Sequence, residues 1–144
     1  MVSDVIERVV VLRHPVERVW AALTTAEGLS RWFGSEAELD LRPGGRAFFR
    51  WEELDEESTA TIVTVEPPHR FAFRWAIYGL PEEDAPQTLV EFTLEPVPEG
   101  TRLRLVESGF AQAADDAAEA AHEANSHGWT AELTDLESYL DAAA

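Results

Sequence analysis

The sequence contains no cysteine and no lysine. Without cysteine, the chain has no disulfides, no thiolate nucleophile, no zinc–thiolate site and no iron–sulfur cluster. Without lysine, Schiff-base chemistry and the lysine of a phosphate-binding loop are excluded. The stability of the fold must therefore come from the packing of its side chains.

Positive charge is also scarce. The 144 residues include 28 Asp and Glu against 11 Arg, which gives a formal net charge of −17. A surface this acidic is repelled by the phosphates of nucleic acids and by anionic lipid headgroups. Neither nucleic acid binding nor membrane insertion is expected.

Long apolar runs are missing as well. No stretch reaches the roughly 20 apolar residues of a membrane-spanning helix, and the first residues lack the pattern of a secretion signal. A cytoplasmic location is therefore expected. The 45% hydrophobic content, with five Trp and seven Phe, is nevertheless typical of a folded core. The length suits a single domain over residues 1–144.

The first third of the chain predicts a strand and two short helices. The β-branched segment from Val5 to Leu12 indicates a strand, which His14-Pro15 ends because proline suits the first turn of a helix. Apolar residues at helical spacing from Val16 to Leu23 predict an amphipathic helix. Thr24-Thr25-Ala26-Glu27 has the spacing of a capping box that begins at Thr24, and it predicts a second helix that ends at Gly34.

Between residues 36 and 108, turn residues recur at short intervals and separate stretches of alternating hydrophobicity. Phe71, Phe73 and Trp75 alternate with small or charged residues, and Leu103 and Leu105 alternate with arginines. Each such strand has one apolar and one polar face. This pattern is typical of an antiparallel meander that is covered on one side only.

The segment after Gly109 predicts the cover for that sheet. It is rich in alanine and acidic residues and has no proline from about residue 111 to residue 142. This composition indicates one long helix, or two helices joined at Gly128. Its larger apolar residues step by four, three and four positions, as in a stripe that packs on a sheet. The stripe consists of Trp129, Leu133, Leu136 and Leu140.

An ordered set of segments along nearly the whole chain is similar to one protein family. The segments are VWAALT at 19–24, GLSRWF at 28–33, LRPGG at 41–45, VEPPHRF at 65–71 and GW at 128–129. In these segments the sequence resembles the activator of heat-shock protein 90 ATPase homologue family, within the START-like or SRPBCC superfamily. The resemblance implies an α+β helix-grip fold. In that fold a curved antiparallel sheet surrounds a long C-terminal helix, and two short helices follow the first strand.

For function, the resemblance implies a cavity between the sheet and the C-terminal helix. Superfamily members bind lipids, hormones and polyketides, and some catalyse cyclisation or hydrolysis. The leading hypothesis is therefore the binding of an apolar or amphipathic small molecule in this cavity. One alternative is a small-molecule enzyme that uses the same cavity, and another is a chaperone-related or stress-related interaction protein. No cofactor is predicted.

The candidate ligand-binding residues are those that the patterns turn toward this cavity. Aromatic side chains would form its walls, and Glu107, His122 and Asn125 would orient a ligand through hydrogen bonds. Glu107 lies two residues beyond Leu105 on the apolar face, and His122 and Asn125 share a helical face with Trp129. The full candidate set is Trp32, Phe33, Phe49, Trp51, Phe73, Trp75, Phe92, Glu107, His122, Asn125 and Trp129.

If the protein is an enzyme, Glu107 and His122 are the candidate acid–base pair. A buried carboxylate costs free energy unless it is paired or protonated, so Glu107 is the more informative of the two. Other interpretations stay open at this point. The aromatic residues would also suit a filled core, Glu107 a strand end in solvent or an ion pair with arginine, and His122 a polar helix surface.

The remaining histidines do not predict a site. His122 and His127 are five residues apart, which splays them on a helix, and no metal site is predicted. His14 and His69 are expected at the surface, beside prolines in turns. A homodimer is compatible with unpaired edge strands, but the sequence does not decide the oligomeric state.

Overall fold

The strands of this chain form one antiparallel sheet of seven strands. The computed structural model describes residues 4–76, 87–112 and 115–142. The order across the sheet is first, seventh, sixth, fifth, fourth, third and second. The strands are β1 (Val5–Leu12), β2 (Glu36–Leu39), β3 (Arg46–Trp51), β4 (Glu56–Glu66), β5 (Arg70–Ala76), β6 (Gln87–Val97) and β7 (Gly100–Ser108).

Three helices accompany the sheet. They are α1 (Val16–Thr24), α2 (Ala26–Trp32) and α3 (Asp115–Ala142), with short 3-10 turns at Glu52–Leu54 and Phe110–Gln112. This order confirms the predicted α+β helix-grip architecture, a curved sheet with a long C-terminal helix. None of the helices among the described residues is both long and apolar enough to span a membrane.

The alternation along the strands separates the two faces of the sheet as predicted. In β7, Leu103, Leu105 and Glu107 are fully buried, whereas Arg102 and Arg104, on either side of Leu103, are exposed. The inward residues of β3 and β5 join the same core. The apolar face is therefore the one that α3 covers.

The outer face carries cross-strand ion pairs. Arg104 lies 2.6 Å from Glu7 on β1, and Arg102 lies 3.1 Å from Glu95 on β6. All four side chains are about half exposed, so each pair contributes at most about 1 kcal/mol. Their main effect is to keep this face solvated.

The cap of α2 corrects one sequence prediction. Thr25, not Thr24, is the N-cap, and its hydroxyl accepts a hydrogen bond from the Gly28 amide at 3.0 Å. Thr24 is the last residue of α1, and its hydroxyl donates to the carbonyl of Trp20 at 2.7 Å. The backbone leaves the helical region only at Thr25, which shifts the start of α2 by one residue.

The end of α3 is held by the segment around α1. Arg18 donates to the carbonyl of Leu140 at 2.7 Å, which satisfies one of the last carbonyls of the helix. His14 is only 7% exposed, and its Nε2 lies 2.7 Å from Asp141. The expected surface position of His14 is therefore wrong, because the C-terminal end of α3 packs over it.

α3 runs without interruption through Gly128, so the chain forms one long helix rather than two. Gly128 is exposed, and a methyl group at this position would meet no other atom within 4 Å. A glycine inside a helix costs stability relative to alanine, because it loses more backbone freedom on folding.

We expect Gly128→Ala to raise the free energy of unfolding by about 0.5–1 kcal/mol, because no contact opposes the added methyl group. Chemical denaturation checks this. Ala131→Gly, at an exposed position of the same helix, is the matched control and should lower the free energy of unfolding by a similar amount. Destabilisation by Gly128→Ala would contradict the helical geometry described for this position.

Candidate functional site

Aromatic side chains meet between the sheet and α3. Within this group, neighbouring ring centroids lie 5.0–6.4 Å apart, in edge-on, tilted and stacked arrangements. Such contacts contribute roughly 0.5–1.5 kcal/mol per pair beyond the burial of their area. We define the aromatic cluster as Trp32, Phe33, Phe49, Trp51, Phe71, Phe73, Trp75, Phe92 and Trp129.

Phe33 lies at the centre of the aromatic cluster, where five other rings surround its own. It is nearly parallel to Trp75 and to Trp129, at interplanar angles of 20° and 17°. Phe33 caps the C-terminus of α2, and Gly34 follows it with φ of +97°. A methyl group on Gly34 would lie 2.6 Å from the Arg50 carbonyl, so this connection fits closely against β3.

Most of the aromatic cluster is buried, but two of its rings reach the surface. Trp51 at the end of β3 and Trp75 near the end of β5 are half-buried, whereas Phe33, Phe49 and Trp129 are at most 2% exposed. Trp51 and Trp75 also contact each other, with centroids 6.4 Å apart. They therefore mark the edge at which a molecule from solvent would first meet the aromatic cluster.

Glu107 is fully buried beside this cluster and accepts hydrogen bonds from four side chains. The indole N–H groups of Trp75 and Trp129 each donate at 2.8 Å, and the Thr88 hydroxyl donates at 2.5 Å. The Asn125 amide lies 3.0 and 3.1 Å from the two carboxylate oxygens. A carboxylate accepts about four hydrogen bonds, so these donors offset the cost of burying Glu107.

His122 and Glu107 have separate hydrogen-bond partners in the structure. His122 donates through Nε2 to the Val5 carbonyl at 3.0 Å, and its ring contacts Phe110 edge-on at 5.3 Å. Val5 pairs with Ser108, the residue after Glu107 on β7. The role of Glu107 and His122 as an acid–base pair stays a prediction.

A second carboxylate near the aromatic cluster, the half-buried Glu132, was not predicted from the sequence. It lies one turn after Trp129 on α3, and the indole N–H of Trp51 hydrogen-bonds to it. Its Oε2 atom is buried and, in the part of the chain that the structure describes, has no hydrogen-bond partner. The only signal in the sequence is its place beside Leu133 on the flank of the apolar stripe, where glutamate is also common at the surface.

Burial raises the pKa of Glu132 from its ordinary 4.5 to about 7. The negative charge of Asp135, three residues further along α3, raises it as well, and the bond from Trp51 lowers it by a smaller amount. Glu132 is therefore partly protonated near neutral pH, unlike an ordinary surface glutamate.

The candidate residues thus fall into two groups. Every one except His122 either belongs to the aromatic cluster or is linked to it by hydrogen bonds: Glu107 accepts from Trp75 and Trp129, and Asn125 donates to Glu107. Their part in ligand binding stays a prediction. No three His, Asp or Glu side chains in the described ranges are grouped so that they would hold a metal ion.

A separate cleft of about 290 Å³ lies between the first two helices and the end of α3. Its lining is mostly small or polar, with Arg18, Thr25, Gly28 and Tyr139 among its residues. One N–H of Arg18 donates to the Leu140 carbonyl, which joins this wall of the cleft to the end of α3.

Comparison with known proteins identifies the family of the chain. A sequence model described as "Activator of Hsp90 ATPase homolog 1-like protein" matches residues 13–141. The chain belongs to this family. Family members typically bind hydrophobic ligands, which agrees with the apolar interior described above but names no ligand for this chain. No curated protein matches the sequence.

Solved structures agree with this family assignment at the level of the fold. Protein MLL2253 from Mesorhizobium loti has a TM-score of 0.83 and 24% identity, over 97% of this chain and 98% of that one. The Aha1 dimer from Colwellia psychrerythraea has a TM-score of 0.75 and 22% identity, over 95% and 94%.

DynU16, a protein of the dynemicin biosynthetic locus, has a TM-score of 0.80 and 24% identity. The match covers 98% of this chain and about half (48%) of DynU16. Because all three identities are below 25%, these similarities show only that the chain shares the helix-grip fold with these proteins.

We expect Glu107→Gln to lower the free energy of unfolding by about 1–3 kcal/mol. The NH2 group of glutamine is a hydrogen-bond donor, and it would face side chains that themselves donate hydrogen bonds to Glu107. Chemical denaturation measures the loss, and the NMR signals of the Trp75 and Trp129 indole N–H groups should shift. Glu99→Gln, in the exposed turn before β7, should change stability by no more than about 0.5 kcal/mol. Equal stability of Glu107→Gln and the unmodified protein would rule out the described network.

We expect Glu132→Gln to stabilise the protein at pH 8 but hardly at pH 4.5. Because the folded pKa is raised to about 7, the contribution of Glu132 is favourable below about pH 4.5 and is lost as the pH rises through 7. The glutamine variant avoids that loss, which is on the order of 1–2 kcal/mol after allowance for partial exposure.

Thermal unfolding at several pH values checks this expectation for Glu132. Glu137→Gln, at an exposed position on α3, provides the matched control and should show no such pH-dependent gain. A gain for Glu132→Gln that is the same at pH 4.5 and pH 8 would contradict the raised pKa.

Proposed function

We propose that the protein binds an apolar or amphipathic small molecule that carries an aromatic ring. The ligand enters at Trp51 and Trp75, the exposed edge of the aromatic cluster, and stacks on the indole faces. The observation that supports this proposal most directly is the nearly parallel set of rings formed by Phe33, Trp75 and Trp129. A flat ligand ring that takes the place of the Phe33 ring would keep the same stacking contacts.

The hydrogen bonds to Glu107 also support the proposed ligand site. They fix the planes of Trp75 and Trp129, because each indole donates its N–H to the same buried carboxylate. Side chains that are already held in one orientation lose little conformational entropy when a ligand binds. The two indoles therefore offer a rigid surface, and Phe33, which has no hydrogen-bonding side chain, is the replaceable member of the stack.

One of the similar structures belongs to a protein linked to small-molecule biosynthesis. DynU16 belongs to a biosynthetic locus for dynemicin, so a protein of the same fold is encoded where a small molecule is made. Acid–base catalysis by Glu107 with His122 is not part of the proposal, because the two residues have separate partners. No observation specifically favours an enzyme over a binding protein.

We further propose that residues 1–144 form one binding domain, which binds its ligand without a cofactor in the cytoplasm. The relative from Colwellia psychrerythraea forms a dimer, and we extend the homodimer to this chain as part of the proposal. Light scattering during the binding experiments would measure the subunit number directly.

The test uses the neutral probe 2-naphthalenemethanol and follows tryptophan fluorescence together with the indole N–H signals in NMR spectra. We expect saturable binding that shifts the Trp51 and Trp75 signals. Phe33→Leu should bind more tightly, because less side chain has to be displaced, although it should lose about 1–2 kcal/mol of stability.

Phe110→Leu is the matched control for Phe33→Leu. Phe110 is fully buried but lies outside the aromatic cluster, against His122. This variant should lose similar stability without any gain in affinity for the probe. The absence of saturable binding to both the unmodified protein and Phe33→Leu would refute the proposed function.

A further inference from the structure

Two carboxylates lie beside the aromatic cluster, the fully buried Glu107 and the half-buried Glu132, and they differ in their hydrogen-bond partners. Both accept a hydrogen bond from an indole at the exposed edge, Glu107 from Trp75 and Glu132 from Trp51. Glu107 also accepts hydrogen bonds from Thr88 and Asn125, whereas Oε2 of Glu132 has no hydrogen-bond donor among the described residues. Glu107 therefore has a structural role that the protein itself satisfies, and Glu132 has unused capacity to accept a hydrogen bond.

No basic side chain in the described part of the chain forms an ion pair with Glu132. No arginine or lysine occurs anywhere in α3, and the ion pairs within the described part of the chain all involve other carboxylates. The nearest charged influence is Asp135, which is also negative. A buried, uncompensated carboxylate is unfavourable, so a cation that reached this atom would relieve a cost already present in the fold.

We propose that Trp51 and Glu132 form a recognition site for a protonated amine, so that the preferred ligands are amines that carry an aromatic ring. This inference rests on the proposed function and narrows its ligand class. The ammonium group would donate a charge-assisted hydrogen bond to the unpartnered oxygen of Glu132. It would also lie near the half-buried ring of Trp51, where a cation–π contact is available.

Two further observations support an amine over an acid or a neutral molecule. Burial, together with the negative charge of Asp135, raises the pKa of Glu132 to about 7, so a bound cation would favour its ionised form. The net charge of −17 attracts cations toward the whole molecule and repels anions. A neutral alcohol would fill the missing hydrogen bond but would leave the charge of Glu132 uncompensated.

The experiment compares two probes of nearly equal shape, 2-(aminomethyl)naphthalene and 2-naphthalenemethanol, by isothermal titration calorimetry at pH 8. We expect the amine to bind about tenfold more tightly than the alcohol, a ratio that one charge-assisted hydrogen bond can supply. Glu132→Gln should remove this preference by weakening the binding of the amine, because glutamine carries no charge. Glu137→Gln, which removes an exposed charge from the same helix, should keep the preference.

The outcomes separate this inference from the proposed function. If both probes bind the unmodified protein equally, or if Glu132→Gln retains the tenfold preference, the amine site is overturned and the aromatic binding site stands. If neither probe binds, the proposed function fails and the amine site fails with it. Glu132→Gln keeps the size of the side chain and removes a buried charge, so the test does not depend on a variant with a weakened fold.

Discussion

The buried carboxylate of Glu107 is the constraint on which the interior of this protein depends. None of the ion pairs among the described residues involves it, and its oxygens accept hydrogen bonds from four neutral donors, Trp75, Thr88, Asn125 and Trp129. These donors come from β5, β6 and α3, whereas Glu107 belongs to β7. One side chain therefore fixes the position of the covering helix over three neighbouring strands. The same bonds orient two indoles, so the geometry of the aromatic cluster follows from the need to satisfy one charge.

Local patterns were sufficient to predict much of this architecture. Period-two alternation placed Leu103, Leu105 and Glu107 on the covered face, and the structure confirms it because side chains on a strand point alternately to its two faces. The ordered segments of the family resemblance supplied the topology, which alternation alone does not determine. The exact helix cap was missed, since Thr24 and Thr25 are chemically equivalent caps and only the backbone turn at Thr25 distinguishes them.

The site was less predictable, for reasons of distance along α3. Helical periodicity placed His122 and Trp129 on one face, but it does not show which strand each residue meets. Asn125 reaches the carboxylate of Glu107, whereas His122, one turn earlier on α3, bonds to the Val5 carbonyl. Glu132 was missed because a glutamate beside an apolar stripe is usually solvated. Its partner Trp51 lies some 80 residues earlier in the chain, so no local pattern links the two.

The connection after Phe33 determines how the interior can open. The Ser35 amide donates to the Arg50 carbonyl at 2.8 Å, the Ser35 hydroxyl accepts from the Glu52 amide at 3.0 Å, and Gly34 leaves no room for a methyl group. The backbone beside Phe33 is thus fixed to β3 and does not act as a lid. Exchange of the Phe33 ring for a ligand ring would therefore proceed by rotation of one side chain, a rotamer gate. Such a gate requires no domain closure and no unfolding of a loop.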